Sequence, residues 1–378
     1  MRTYYVSASV ARSGDGSASR PFATISEAAA LAQPGDTVQV APGVYREYVD
    51  PKNAGREDAR ITYRSEIPGA AVITGAEVIR GWKPYAENVW RTVIPNGIFG
   101  AYNPYTVFVR GDWYWAQDPV HTGEVYLNGK AMYESCTLEG VLHPVAYHPS
   151  WDPEFTLHKW YTEQVDDCTV IYANFCGADP NLETVEINVR RNCFYPSKEG
   201  VGYITLSGFT VKQAATQWAP PTAYQEGMIG PHWSKGWIIE DCEVSDSRCS
   251  GISLGKYLQP SNENKWSTRA YKDGTQTERD AICQAQREGW TKENIGSHII
   301  RRCNIHDCVR PVSSVIWVVC SASLRITIST ISTTSRIWRE RRSAVSRCML
   351  RSMSSIGGII SITVPEDCGW TGRHREPG

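Results

Sequence analysis

No stretch of the 378-residue chain approaches the ~20 consecutive apolar residues that a membrane helix needs. The N-terminal MRTYYVSASVARSGDG lacks the apolar centre of a secretion signal, so a cytoplasmic location is expected. Charge of one sign is also missing. With 39 basic and 40 acidic side chains the net charge is −1, which speaks against a nucleic-acid partner or a polybasic membrane-surface role. No Cys-x-x-Cys or Cys/His pair has zinc-site spacing, and neither a metal nor any other cofactor is expected. The twelve cysteines read as small buried hydrophobes rather than a disulfide framework. What is present is a 41% hydrophobic content, enough for a sizeable core in roughly two or three domains.

A further absence is local. Residues 311–378 hold 13 Ser and 9 Arg but no Lys, Asn, Gln, Tyr or Phe. At the rate set by residues 1–310, about 13 residues of those five types belong there. The charge divides as well, into a body of −6 and a tail of +5. Two different compositions are joined near residue 310.

Along the body, turn signals separate short elements. Ser13-Gly14-Asp15-Gly16 is a loop, Thr24 to Gln33 an Ala-rich helix, Thr37–Val40 a strand, and Pro42-Gly43 turns into Val44–Tyr45. A small helix before short strands suits the capped first rung of a β-solenoid, whose open end would otherwise expose its core. Residues 76–200 change character. Polar–apolar alternation predicts strands at Val89–Ile94, Thr106–Val109, Glu124–Leu127, Thr169–Phe175 and Glu183–Val189. Asn128-Gly129 is a type I′ hairpin signal, and the whole reads as an inserted β-sandwich.

After residue 200 a repeat emerges. GYITLSGFTV (202–211), GWIIEDCEVSDS (236–247) and SHIIRRCNIHDC (297–308) superimpose, with Trp237/His298, Ile238/Ile299, Ile239/Ile300, Cys242/Cys303, Val244/Ile305 and Asp246/Asp307 in register. Strand–bend–strand repeats are what the stacked coils of a parallel β-helix require, and Cys242 and Cys303 then form an interior ladder. Residues 257–296 interrupt the repeat as a helical excursion. The expected organisation is a cap and first rungs over 1–75, a sandwich over 76–200, further rungs over 201–308, and an anomalous tail over 309–378.

The opening SGDGSASRPFATISEAAALAQPGDTVQVAPGVYRE resembles the first rung of many right-handed parallel β-helix carbohydrate enzymes. More specific are GDWYW (111–115), GEVYLNG (123–129), YANFCGADP (172–180), VEINVRRNCFYP (185–196), WAPPTA (218–223), GPHWSKGWIIED (230–241) and GSHIIRRCNIHDC (296–308). Together they resemble the β-xylosidases of glycoside hydrolase family 120, from about residue 3 to Cys308 and no further. The resemblance implies an all-β fold, a right-handed parallel β-helix with an inserted β-sandwich. It also implies a homo-oligomer that removes xylose from the non-reducing end of xylo-oligosaccharides with retention. Retention needs two carboxyl groups ~5–5.5 Å apart, a nucleophile and an acid/base. The family places its nucleophilic Asp in a Trp-Leu-Asp-Trp segment and its acid/base Glu on a later rung. Neither motif occurs here, and no catalytic residue is assigned. Glu240, Asp241, Asp246 and Asp307 match structural positions of the family.

Back-translation tests the tail for a frame error. One base upstream, each codon takes its second and third letters from the first two letters of the residue's own codon. Residues 309–323 (VRPVSSVIWVVCSAS) can then be read as GQAGIVGHLGCVFSE, punctuated by glycine. Residues 364–378 (VPEDCGWTGRHREPG) can be read as CPRGLWLDWQAQGT, with the Asp codon straddling Trp370 and Thr371. The expectation is a one-base loss after Cys308 that leaves both catalytic carboxylates beyond the break and the product inactive. The tail, with TISTISTTS and SIGGIISITV, is β-prone and an aggregation liability at an open edge.

Three residues remain as candidates for substrate binding. Trp113 matches a family Trp that reaches toward a neighbouring subunit's active site, and His232 and Trp233 are expected at the cleft mouth. Most of the 11 body Trp are packing residues. Two other classes stay open. A non-catalytic carbohydrate-binding β-helix would bind xylo-oligosaccharide without turnover. A pectate-lyase-like enzyme would need clustered Asp for Ca²⁺, which the rungs lack, and an Arg or Lys base, for which Arg301-Arg302 is available.

Overall fold

The computed structural model describes residues 1–109, 120–150, 152–217, 226–255 and 293–308, with 283, 285, 287 and 291, and the backbone of strands at 310–313, 325–332 and 360–362. The anticipated helical excursion lies almost wholly outside the described residues.

Three ladders of parallel strands run through the body. The first stacks Thr3–Val6, Thr37–Val40, Ile61–Ser65, Ile204–Ser207, Ile238–Glu240 and Ile299–His306. The second stacks Gly43–Tyr45, Ala71–Thr74, Phe209–Ala214 and Glu243–Ser247 on the far half of Ile299–His306. The third stacks Gly227–Ile229, Ser250–Ser253 and Arg310–Ser313, preceded by the bridges Val49–Phe194 and Phe194–Ile229. One coil visits each ladder in turn, which is a right-handed parallel β-helix.

Left-handed residues make the corners. Gly208 (φ 76°), Asp241 (55°) and Arg302 (53°) separate the first ladder from the second, and Gln213 (61°), Asp246 (57°) and Asp307 (49°) end the second. The repeat therefore carries its bend at the same two places in every coil. Before the first corner one residue column points inward. Val38, Tyr63, Leu206, Ile239 and Ile300 are in register and buried. Each contributes about 1.5–3 kcal/mol by leaving water. Cys242 and Cys303 are buried on successive coils.

The helix Ile25–Leu31 closes the N-terminal end. Thr24 and Glu27 form its capping box, and Ile25, Ala28 and Ala29 face the core. The first strand, otherwise an open edge, pairs with Thr37–Val40 on one side and is bridged on the other by backbone bonds to Gly16 and Phe22.

The insertion leaves the second ladder after Thr74 and returns before Phe194. Both crossings meet at Gly75, whose carbonyl accepts from the amides of Val189 (2.9 Å) and Arg190 (3.0 Å). A Cβ there would stand 2.6 Å from the Gln213 carbonyl oxygen, so only glycine fits. Beyond it lie two sheets. One comprises Ala76–Val78, Val185–Asn188, Val125–Leu127 and Lys130–Ala131; the other, Lys83–Ala86, Val89–Pro95, Cys168–Asn174, Lys159–Val165 and Tyr133–Glu134. Ile94, Val125, Trp160, Ile171, Phe175 and Ile187 fill the space between them, which makes the sandwich. Asn128 (φ 51°) and Gly129 (φ 80°) form the expected hairpin turn. The expected strand Thr106–Val109 does not form. Only a Phe108–His121 bridge is present among the described residues, and Tyr105 just before it is buried against Trp160 in the sandwich core.

Candidate functional site

Where sandwich meets β-helix, polar side chains are buried in pairs. Glu186 of the insertion accepts from Arg46 (2.7 Å) and from Gln213 (2.9 Å), and Gln213 accepts from the Thr74 hydroxyl (2.8 Å). Gln213 occupies the corner that carries Asp246 and Asp307 on later coils, so the corner repeat itself supplies the docking group. A second contact lies one coil on. Arg248 donates to the Glu124 carboxylate (2.6 Å) and the His121 carbonyl (2.7 Å), with both charged side chains at most 10% exposed. Charges removed from water this thoroughly persist only when paired.

Close to these contacts lie Val109 and Val120, the described residues on either side of Trp113 in the sequence. The amide of Val109 donates to Val120 (2.8 Å), that of Thr122 to Val107 (2.8 Å), and His121 is held by Glu134 (2.5 Å). Trp113 itself lies outside the described residues.

The other two candidates are neighbours with different surroundings. Trp233 lines a cleft of about 480 Å³ together with Tyr203, Lys235, Glu199, Glu293 and Asn294. The cleft sits where the long turns lead from the third ladder into the first. His232 does not line it. Its backbone is left-handed (φ 52°), its Nδ1 lies 2.9 Å from the Pro196 carbonyl oxygen, and its ring stacks on Tyr195. Burial lowers its pKa below the usual imidazole value, which suits a neutral packing residue.

The rung carboxylates are engaged by cations. Glu240 meets Arg301 at 2.6 Å, Asp241 meets Arg302 at 2.6 Å, and Asp307 meets His306 at 2.8 Å. The salt bridge to Arg302 holds Asp241 below the ordinary carboxylate range. A general acid needs a raised pKa and a nucleophile an open face toward the sugar. A cation lies against each of these three carboxylates, and Asp241 is shifted in the opposite direction from an acid. Asp246 is half-buried at its corner. Among the described residues no group of three His, Cys, Asp or Glu could hold a metal ion, and no helix is long and apolar enough to cross a membrane. Sequence reasoning missed the Arg248–Glu124 contact, since no local pattern links residues 124 positions apart.

Residues 79–187, the two-sheet insertion, match the family model described as the glycoside hydrolase 120 insertion domain. The chain carries a glycoside hydrolase 120 segment. A second model, of a protein family of unknown function (DUF1565), matches the first rung at residues 10–52. Among solved structures, XylC in complex with xylose is 47% identical with a TM-score of 0.75, covering 81% of this chain and 50% of that one. The chain thus spans about half the length of that relative. A structure described as a glycoside hydrolase is 12% identical, with a TM-score of 0.48 over 82% of this chain and 74% of that one. The lacto-N-biosidase of Eubacterium ramulus is 14% identical, with a TM-score of 0.33 over 81% and 42%. No curated protein matches the chain.

Proposed function

We propose that residues 1–308 are the N-terminal part of a retaining exo-β-xylosidase that releases xylose from xylo-oligosaccharides in the cytoplasm. The 47% identity to XylC with bound xylose carries this reading. In it Trp113 serves the site of a neighbouring subunit in a homo-oligomer, and Trp233 contributes to the cleft mouth. His232, stacked on Tyr195, is a packing residue beside it.

The 378-residue product lacks the two carboxylates and does not turn over. Codon arithmetic supports a one-base loss. Trp370 has a single codon ending in G, so the upstream codon spanning Trp370 and Thr371 is GAC, which is Asp without choice. Asp367 codons end in T or C, so the upstream codon spanning Asp367 and Cys368 is Leu without choice. Two letters of the expected Leu-Trp-Leu-Asp-Trp are therefore forced. The test is to assay 4-nitrophenyl β-xyloside with the 378-residue product and with the gene restored by one base after codon 308. Release by the restored protein alone is expected. Release by the 378-residue product would refute the reading. Xylo-oligosaccharide binding without turnover by both would favour the non-catalytic alternative, for which the Trp233 cleft is the supporting feature.

A further inference from the structure

The strand Arg325–Ser332 pairs in parallel with Ile299–His306 and so occupies the place of the next coil. The pairing is irregular. Ile300 faces Ile326 and Arg301 faces Thr327, at a spacing of 26 residues. The register then shifts on both sides of Cys303, which faces Ile328, before Asn304 meets Thr330 and Ile305 meets Ile331. Earlier coils in this part of the first ladder pair without such breaks. Parallel coils need identical bends at identical places, because a slip of one residue turns an inward side chain outward.

The codons of this strand hold another text. One base upstream, Ile (ATH) and Thr (ACN) codons can give only Tyr, His, Asn or Asp. A Ser codon of the TCN class preceded by an Ile codon gives only Phe, Leu or Ile. Codons 328 to 332, which encode Ile328, Ser329, Thr330, Ile331 and Ser332, then read polar, apolar, polar, polar, apolar. That is the order of Asn304, Ile305, His306, Asp307 and Cys308, whose exposures are half-buried, buried, half-buried, half-buried and buried. The Asp307 position, a left-handed corner, receives Tyr, His, Asn or Asp, two of which are the residues that best tolerate that conformation. Codon 327 gives Tyr, His or Asn opposite Cys303. This departure from an apolar residue falls at the bend itself.

We propose that codons 328–332, read one base upstream, encode the next coil's counterpart of residues 304–308, paired at a spacing of 24 residues. The proposal rests on the one-base loss advanced above and adds what that loss does to the next coil. The native coil joins Asn304 to position 328 and Ile305 to position 329 without a register break. The present strand occupies the same ladder two residues out of place, as an alternating Ile/Thr/Ser segment that pairs by its backbone.

Two measurements test it. Sequencing of the gene is expected to show TCN codons at Ser329 and Ser332. An AGY codon at either would place Gln, Lys or a stop there and overturn the proposal, even where the distal codons still read GLWLDW and uphold the frame loss. Absence of GLWLDW would overturn both. In the restored protein, Asn304→Cys is then combined with a cysteine at position 328 or at position 330 and oxidised with copper–phenanthroline. Adjacent strands place register partners about 4.8 Å apart, within disulfide reach, whereas a two-residue offset adds about 6.6 Å along the strand. Cross-linking at 328 and not at 330 is expected. The reverse pattern would overturn the 24-residue register.

Discussion

Replacing Arg248 by Met removes the cation that faces Glu124 across the seam between sandwich and β-helix. Arg248 makes two short contacts there, at 2.6 Å to the carboxylate and 2.7 Å to the His121 carbonyl, and its side chain is 6% exposed. The methionine fills most of the volume but leaves a buried carboxylate without its cation. Removing one partner of a buried pair costs about 3–5 kcal/mol, because the remaining charge keeps its desolvation penalty. Replacing both, in Glu124→Gln with Arg248→Met, removes that charge, so the double variant should recover a large part of the loss. Urea unfolding of the parent, both single variants and the double variant closes the cycle. A loss below about 1 kcal/mol for Arg248→Met is what an exposed pair would give. That result would show the seam to be wet and refute the argument.

Three further outcomes follow from other parts of the molecule. His306 is raised to about 9, chiefly by its hydrogen bond to Asp307 and also by Glu243 on the preceding coil. Its stabilisation is present in full below pH 6.5 and is lost as pH rises through 9, so urea midpoints should fall over that interval and His306→Gln should flatten the fall. His298 is lowered to about 3 by burial, and its Nδ1 accepts from the Trp237 amide at 3.2 Å. The unfolded chain binds a proton below pH 6.5 that the folded chain refuses until about 3, so this histidine makes stability drop on acidification; an NMR titration showing His298 protonated at pH 6 would contradict it. Gly75→Ala drives a methyl to 2.6 Å from a backbone oxygen and should cost at least about 1–3 kcal/mol in thermal unfolding, with an unshifted midpoint counting against the crossing point described.

Much of the fold was legible because the β-helix writes itself in repeats. The two αL corners recur as Gly208/Asp241/Arg302 and Gln213/Asp246/Asp307, and the inward column before the first of them is apolar in every coil. The sandwich strands were readable by alternation, and Asn128-Gly129 by its turn chemistry. Thr106–Val109 misled because its alternation reports Tyr105 and Val109 turning inward from a bent segment, which period alone does not separate from a strand. His232 and Trp233 were both read as cleft residues, yet a left-handed backbone at His232 sends the two rings to different surroundings. The seam was illegible in principle. Arg46–Glu186 and Arg248–Glu124 join residues more than a hundred positions apart, and a lone charge in sequence carries no mark of its partner.

The groups that seat the insertion all precede the change of composition. Gly75, Gln213 and Arg248 lie on coils whose strands pair with neighbours on both sides. In a solenoid each coil contacts only the coils beside it, so stability is close to a sum of nearest-neighbour contributions. On the proposed one-base loss, the altered text after Cys308 meets the coil of Ile299–His306 and, through Arg310–Ser313, the strand Ser250–Ser253 next to Arg248, but does not reach the Glu186 contacts. What it alters is the growing end. There the native coil would present the same inward column again, whereas Arg325–Ser332 offers backbone pairing with a broken register and accepts the antiparallel strand Ile360–Ile362 on its other side. An antiparallel partner ends the helix, since it reverses the direction that every earlier coil maintains. On the proposed one-base loss, the same chain holds a seated insertion and a misdirected end, and no rearrangement of the first is needed to explain the second.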